Sequence, residues 1–156
     1  MTPTALLAAG IIPAAALLPD IDSRAARVLT LAIAGQESDW TARVQDGGPA
    51  RGRWQFEIED VTDVLTRAGA RMTAVCEALD VPAVAGTIYE AIAWNDPLAA
   101  SVARLALWLN PVALPAVGDV DGAWSYYDET WRPGTPRSAS WGERYASAVA
   151  ACGVPT

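Results

Sequence analysis

Asp22-Ser23-Arg24-Ala25-Ala26-Arg27-Val28-Leu29-Thr30-Leu31-Ala32-Ile33-Ala34-Gly35-Gln36-Glu37-Ser38 sets the fold class of this chain. Asp22-Ser23 can cap a helix here, because a short side-chain oxygen accepts a first-turn N–H that has no partner inside the helix. The apolar face of that helix takes in Ala26, Leu29 and Ile33. One turn further along the same face stands Glu37. The rest of the chain keeps this character. Alanine is abundant, and alternating runs of Val, Ile and Thr are nearly absent, so the chain reads as all-α.

The pattern predicts short helical turns over Thr4–Ala9 and Pro13–Leu18, and helices over Ile58–Ala68, Arg71–Leu79 and Pro82–Trp94. Asp96-Pro97 reads as an N-cap followed by proline at the first helical position of a helix running to Leu109. Asp121–Thr130 is a further helix, and Ser140-x-x-Glu143 is a capping box that opens the last one. A polar loop, Asp46-Gly47-Gly48-Pro49-Ala50-Arg51-Gly52, separates the first long helix from the next. No repeat or linker splits the chain, so residues 1–156 read as a single domain. The apolar run at the start lacks Lys or Arg and is interrupted by Pro3 and Pro13. It reads as buried helix, not as a signal peptide or a membrane span.

The composition excludes much chemistry. The chain has no histidine and no lysine, so all 11 cations are arginines, set against 18 acidic residues for a net charge of −7. Without His there is no Ser-His or Cys-His relay and no His-ligated zinc. Two cysteines cannot make a Cys-rich metal site. Cys76 and Cys152 read as buried free thiols, with a disulfide between them as the alternative. No metal or cofactor is expected. The acidic balance argues against nucleic acid and against anionic membrane surfaces as partners. Catalysis, if present, falls to carboxylates with Tyr and Arg in support.

Glu37 carries the sharpest signal. A carboxyl on an apolar stripe, in the last turn of a helix, has two reasons for a raised pKa. Burial disfavours its charged form, and so does the negative helix end. A carboxyl that keeps its proton near neutrality is what general acid cleavage of a glycosidic bond requires.

A Glu-Ser at a helix end, followed by a glycine, a bulky residue and a Gln, resembles the soluble lytic transglycosylases and goose-type lysozymes. Here the residues are Glu37-Ser38 and Gly52-Arg53-Trp54-Gln55. The resemblance extends to phage-encoded lysozyme-like proteins through Gln36-Glu37-Ser38, through Gly48-Pro49-Ala50-Arg51-Gly52-Arg53-Trp54-Gln55-Phe56-Glu57, and through Trp131-Arg132-Pro133-Gly134 after Trp124-Ser125-Tyr126-Tyr127. It implies a lysozyme-like single domain and cleavage of the MurNAc–GlcNAc β-1,4 bond of peptidoglycan. Glu37 would be the general acid and base, Ser38 an orienting neighbour and Gln55 a substrate contact. Trp54, Tyr126 and Tyr127 would add substrate-binding surface, since aromatic faces pack against sugar rings. Trp94 and Trp108, on helix faces, read as core. Arg132 reads as a carboxylate binder, either for an internal Asp or for the lactyl or peptide group of a muramoyl unit.

Two departures from the family matter. Arg53 stands where the families carry an apolar residue, and a cation close to Glu37 would lower its pKa. The Ala-Tyr-Asn motif of the transglycosylases is missing, with Tyr126 or Tyr127 in its place. Hydrolysis would need a second acid, for which Asp46 and Glu57 are the leading candidates beside Asp39 and Glu59. A transglycosylase needs one glutamate alone. The expected partner is bacterial cell-wall peptidoglycan, together with other phage proteins if the chain belongs to a virion. Its expected place is the virion or the bacterial periplasm and wall. The alternative function is a non-catalytic virion or assembly module that keeps a lysozyme-like fold and a glycan-binding groove.

Overall fold

The computed structural model describes residues 1–134 and 137–153. Among them every regular element is a helix, and the extended pairings are two isolated antiparallel bridges, Val44 with Arg51 and Arg51 with Phe56. The protein is all-α.

The first helical stretch runs from α1 (Pro3–Leu6) through a π-helical turn (Leu7–Ile11) into α2 (Ile12–Leu17). The sequence predicts two separate turns interrupted at Pro13, but the helix passes it. Proline has no N–H to donate, and its ring crowds the carbonyl four residues back. The wider turn removes that conflict by shifting the register, so that the Ile12 N–H reaches Leu7 O. Leu6, Ile11, Ala14 and Leu18 from this stretch join the core. Among the described residues, no helix is long and apolar enough to cross a membrane.

α3 (Arg24–Ser38) begins as the sequence predicts, with Ser23 Oγ accepting the Ala26 N–H at 3.1 Å. It is the central helix: Leu31, Ala32, Ile33 and Ala34 are each 0% exposed. Four consecutive buried residues cover the whole circumference, so α3 is surrounded and not merely amphipathic. Burying each large aliphatic side chain contributes about 1.5–3 kcal/mol. The small residues let α9 (Ser138–Ala151) lie closely along it. α7 (Asp96–Leu109) is the second buried helix and packs on α2, α4 (Ile58–Ala68), α5 (Ala70–Ala78) and α6 (Ala85–Ala91). α8 (Val120–Trp131) packs against α9.

α6 spans Ala85–Ala91, inside the predicted Pro82–Trp94, and two helix caps differ from expectation. Asn95, not Asp96, caps α7, with Asn95 Oδ1 accepting the Leu98 N–H at 3.0 Å. That leaves the Asp96 carboxylate free for other partners. α9 begins at Ser138, so Ser140 lies inside its first turn and does not cap it. Two tryptophans read as core are on the surface: Trp94 is 72% exposed and Trp108 is 39% exposed. Arginines cover their rings instead of apolar neighbours, with the Arg43 guanidinium 5.6 Å from the Trp94 centroid and the Arg71 guanidinium 4.7 Å from that of Trp108. Cys76 is buried and Cys152 half-buried, and both are free thiols whose pKa burial raises.

Candidate active site around Glu37

The end of α3 is held from several directions. Asp39 and Trp40 both take left-handed backbone, with φ of 53° and 57°. This turns the chain so that the Asp39 N–H meets Gly35 O at 3.0 Å and the Trp40 N–H meets Ala34 O at 3.3 Å. The Trp40 ring folds back over Gly35, where a Cβ would stand 2.4 Å from Trp40 Cζ2, so only glycine fits. Trp40 Nε1 donates to Leu31 O at 2.9 Å. Arg144 of α9 pairs with Asp39 at 2.8 Å and covers the Trp40 ring at 5.1 Å. Glu37 therefore projects from a helix terminus with little freedom to move.

Glu37 is half-buried. Desolvation raises its pKa, the effect for which its position on the apolar stripe prepared. Three groups adjust that. Tyr127 Oη donates to Glu37 Oε1 at 2.6 Å and favours the ionised form, as does the positive charge of Arg137, whereas the negative charge of Asp60 opposes it. The net shift is upward. Tyr127 is pushed far above the ordinary phenol range, first by burial and then by its hydrogen bond to Glu37. It therefore keeps its proton and donates it to Oε1 without titrating.

An aromatic wall fixes Tyr127. Its ring stacks on Trp141 at 5.2 Å with 11° between planes, and Trp124 lies 5.4 Å away. Trp131 comes next, 6.5 Å from Tyr127 and 5.4 Å from Phe56. Trp131 Nε1 also donates to Trp54 O at 3.2 Å. The end of α8 thus joins the Glu37 carboxyl to the segment that carries Gln55.

That segment is a compact loop. Gly52, at φ +71°, rests on α6's exit, where a Cβ would lie 2.8 Å from Ile92 O. Gln55 also has left-handed backbone, at φ 52°, and its Nε2 donates to Gly52 O at 2.7 Å. This holds a half-exposed amide in a fixed orientation.

Several expected roles are corrected. Trp54 is 0% exposed, with Nε1 donating to Thr30 O at 2.8 Å, so it is core and cannot touch a ligand. Tyr126 is buried, with its hydroxyl on Leu107 O at 2.8 Å, and belongs to the packing of α8 on α7. Ser38 is buried and its Oγ donates to Ala34 O at 2.9 Å, so it orients backbone and not a sugar. Arg53 does not sit against Glu37. It is 3% exposed, pairs with Asp96 at 3.1 Å and donates to Trp40 O at 2.7 Å and Thr41 O at 2.9 Å. Arg132 is an exposed, left-handed C-cap of α8 and pairs with no acid among the described residues. Asp46 lies exposed in the loop, and Glu57 is the exposed N-cap residue of α4.

The sequence reading missed two charged neighbours of Glu37. Arg137 precedes the capping box at Ser140 that marks the predicted helix start, and the structure makes it the N-cap residue of α9. Asp60 stands directly after the candidate acid Glu59. It sits in the first turn of α4 and accepts the Glu57 N–H at 2.9 Å. The residue is exposed, and partial desolvation of its carboxyl raises its pKa. A helix start with paired acids at Glu59-Asp60 was the signal available.

Compared with protein-family models, curated proteins and solved structures, the chain matches none.

Proposed function

We propose that this chain is a lysozyme-like glycosidase that cuts the MurNAc–GlcNAc β-1,4 bond of peptidoglycan, as a lytic transglycosylase or a muramidase. One observation carries the reading: Glu37 is a desolvated carboxyl with a raised pKa, one oxygen of which is held by a neutral Tyr127 hydroxyl. With Oε1 accepting from Tyr127, the proton resides on Oε2. It passes to the glycosidic oxygen as the bond to the anomeric carbon breaks and the leaving sugar departs as an alcohol. The resulting Glu37 carboxylate is stabilised by the same Tyr127 hydrogen bond and by Arg137.

It then takes a proton from the nucleophile. In the transglycosylase route this is the sugar's own 6-hydroxyl, which closes an anhydro ring on the anomeric carbon, and no second acid is needed. In the hydrolytic route it is water, and Asp60 is the carboxylate whose charge reaches Glu37. Asp60 joins Asp46 and Glu57 as a candidate second acid, because its charge acts on Glu37. Gln55 and Trp131 form the ligand-facing part of the wall.

The test is incubation with purified peptidoglycan, beside Glu37→Gln and Asp60→Asn, with products read by mass spectrometry. Anhydro-muropeptides that survive Asp60→Asn indicate the transglycosylase. New reducing ends lost in Asp60→Asn indicate the hydrolase. No product from the wild type across acidic and neutral pH rejects the enzyme.

The second reading is a virion or assembly module with the same kind of fold. It is favoured by the net charge of −7, which repels the chain from an anionic cell wall.

A further inference from the structure

Arg137 is tied to the residue beside Glu37 from both sides. Gln36 Nε2 donates to Arg137 O at 2.9 Å, and Arg137 Nη2 donates to Gln36 O at 3.2 Å. Ser140 Oγ completes the lock by donating to Gln36 Oε1 at 3.1 Å. Gln36 is 4% exposed, so this anchor is rigid, whereas Arg137 is exposed.

A guanidinium carries five N–H donors in a planar fork. Among the described residues Arg137 uses one of them, on Gln36 O, and forms no salt bridge. Arg27, Arg43, Arg53, Arg67, Arg71 and Arg144 each hold an aspartate. Arg137 is thus an exposed cation anchored to the residue beside Glu37, and its charge acts on the Glu37 carboxyl. Such a fork matches the two oxygens of a carboxylate.

We propose that Arg137 forms a subsite for a carboxylate-bearing glycan, pairing the acidic side group of a sugar whose glycosidic bond lies at Glu37. The position at Glu37 rests on the glycosidase reading above, but the pairing requires only that an acidic glycan binds. A neutral chitin-type oligomer lacks the group and leaves Arg137 hydrated. This moves to Arg137 the carboxylate-binding role that the sequence suggested for Arg132.

Binding is measured by calorimetry in the Glu37→Gln background, where no substrate is cut. The probes are a GlcNAc–MurNAc tetrasaccharide, the same compound with its lactyl carboxylates converted to amides, and chitotetraose. The acidic tetrasaccharide should bind roughly tenfold tighter than either neutral probe, the worth of one charge-assisted contact at a wet surface. Arg137→Gln should remove that preference, bringing the acidic probe down to the neutral ones, and Arg137→Lys should restore part of it. The Gln36 contact to the position-137 carbonyl is to backbone, so the variant keeps it, and circular dichroism confirms the fold. Equal weakening of all three probes, no preference in the parent, or no binding at all overturns the proposal. Cleavage by the chain with Glu37 intact is scored separately. Failure there removes the glycosidase and leaves the acidic-glycan subsite to stand on the binding data.

Discussion

Asp96→Ala probes the placement of Arg53, the residue whose position differs most from the sequence reading. Asp96 is 7% exposed and accepts from Arg53 Nε at 3.1 Å and from Arg43 at 3.1 and 3.0 Å. The two arginines would respond differently to its loss. The Arg43 side chain, 25% exposed, can turn to water. Arg53, 3% exposed, cannot. It keeps the carbonyls of Trp40 and Thr41, but these do not neutralise its charge. Removing one partner of a buried pair costs about 3–5 kcal/mol. For a domain of this size about 2–4 °C of Tm follows each kcal/mol, so thermal unfolding by far-UV circular dichroism should show a fall of roughly 6–20 °C. The double variant Arg53→Met with Asp96→Ala should recover most of it, because a buried pair replaced by apolar side chains is often neutral. A single-variant loss below about 1 kcal/mol, or a double variant that loses the sum of the two singles, refutes the coupling.

Other outcomes follow from the same geometry. Glu37 has a raised pKa, so the folded chain holds this proton to higher pH than the unfolded chain does, and stability falls as pH rises from the ordinary carboxyl range through the raised one. Glu37→Gln removes that penalty: its Tm gain over wild type should be absent in acid and reach a plateau near neutrality, and a gain of equal size at both ends contradicts it. Tyr127→Phe removes the hydroxyl that favours ionised Glu37. The alkaline limb of the cleavage profile should then move to higher pH, and a move to lower pH rejects the acid role. Gly35→Ala drives a Cβ into the Trp40 ring and should cost about 1–3 kcal/mol by urea midpoint, whereas no loss would mean that Trp40 can swing away. At a net charge of −7 the chain is repelled by an anionic wall, so moderate added salt should speed cleavage of intact walls; slowing by salt would point to local cations as the controlling field.

The helices were legible because their signals are local. Ser23 before an apolar stripe, Pro97 near a helix start and Gly69 after Ala68 each act within one turn, and each lies at or next to the observed boundary. Glu37 was legible for the same reason: a helix end and a stripe place it without knowledge of any other element. Its partners were not. Tyr127 lies 90 residues away in sequence, and choosing it over Tyr126 needs the rotation of α8 against α9. Alternate residues of a helix face different ways, and nothing local tells which is inward. A large aromatic in a polar loop such as Trp54 looks available from sequence, but its indole N–H reaches a carbonyl of α3 and the ring fills core. The partner of Arg53 is not legible either: whether it stands by Glu37 depends on Asp96, 43 residues away, whose released carboxylate draws it to the start of α7.

On the glycosidase reading, the two cations would let an acid catalyst and an acidic ligand share this site. A buried Arg53 at Glu37 would have held the carboxyl ionised, since a desolvated charge pair is not screened by water. The chain instead commits Arg53 to Asp96 and leaves exposed Arg137 beside Glu37, where solvent weakens its pull and burial still wins. The other groups acting on the carboxyl are Asp60, whose charge opposes ionisation, and the neutral hydroxyl of Tyr127. A ligand carboxylate paired with Arg137 would cancel part of the force that lowers the Glu37 pKa. Binding an acidic glycan would then raise that pKa further and draw a proton onto the catalyst, and by linkage a protonated Glu37 would bind such a glycan more tightly. Proton uptake is measurable in the wild-type chain by repeating the calorimetry in two buffers of different ionisation enthalpy. Uptake with the acidic tetrasaccharide, none with chitotetraose and none in Arg137→Gln is the pattern this coupling requires. Uptake that persists in Arg137→Gln would place the effect in desolvation of Glu37 by the sugar ring, and the cation would have no part in it.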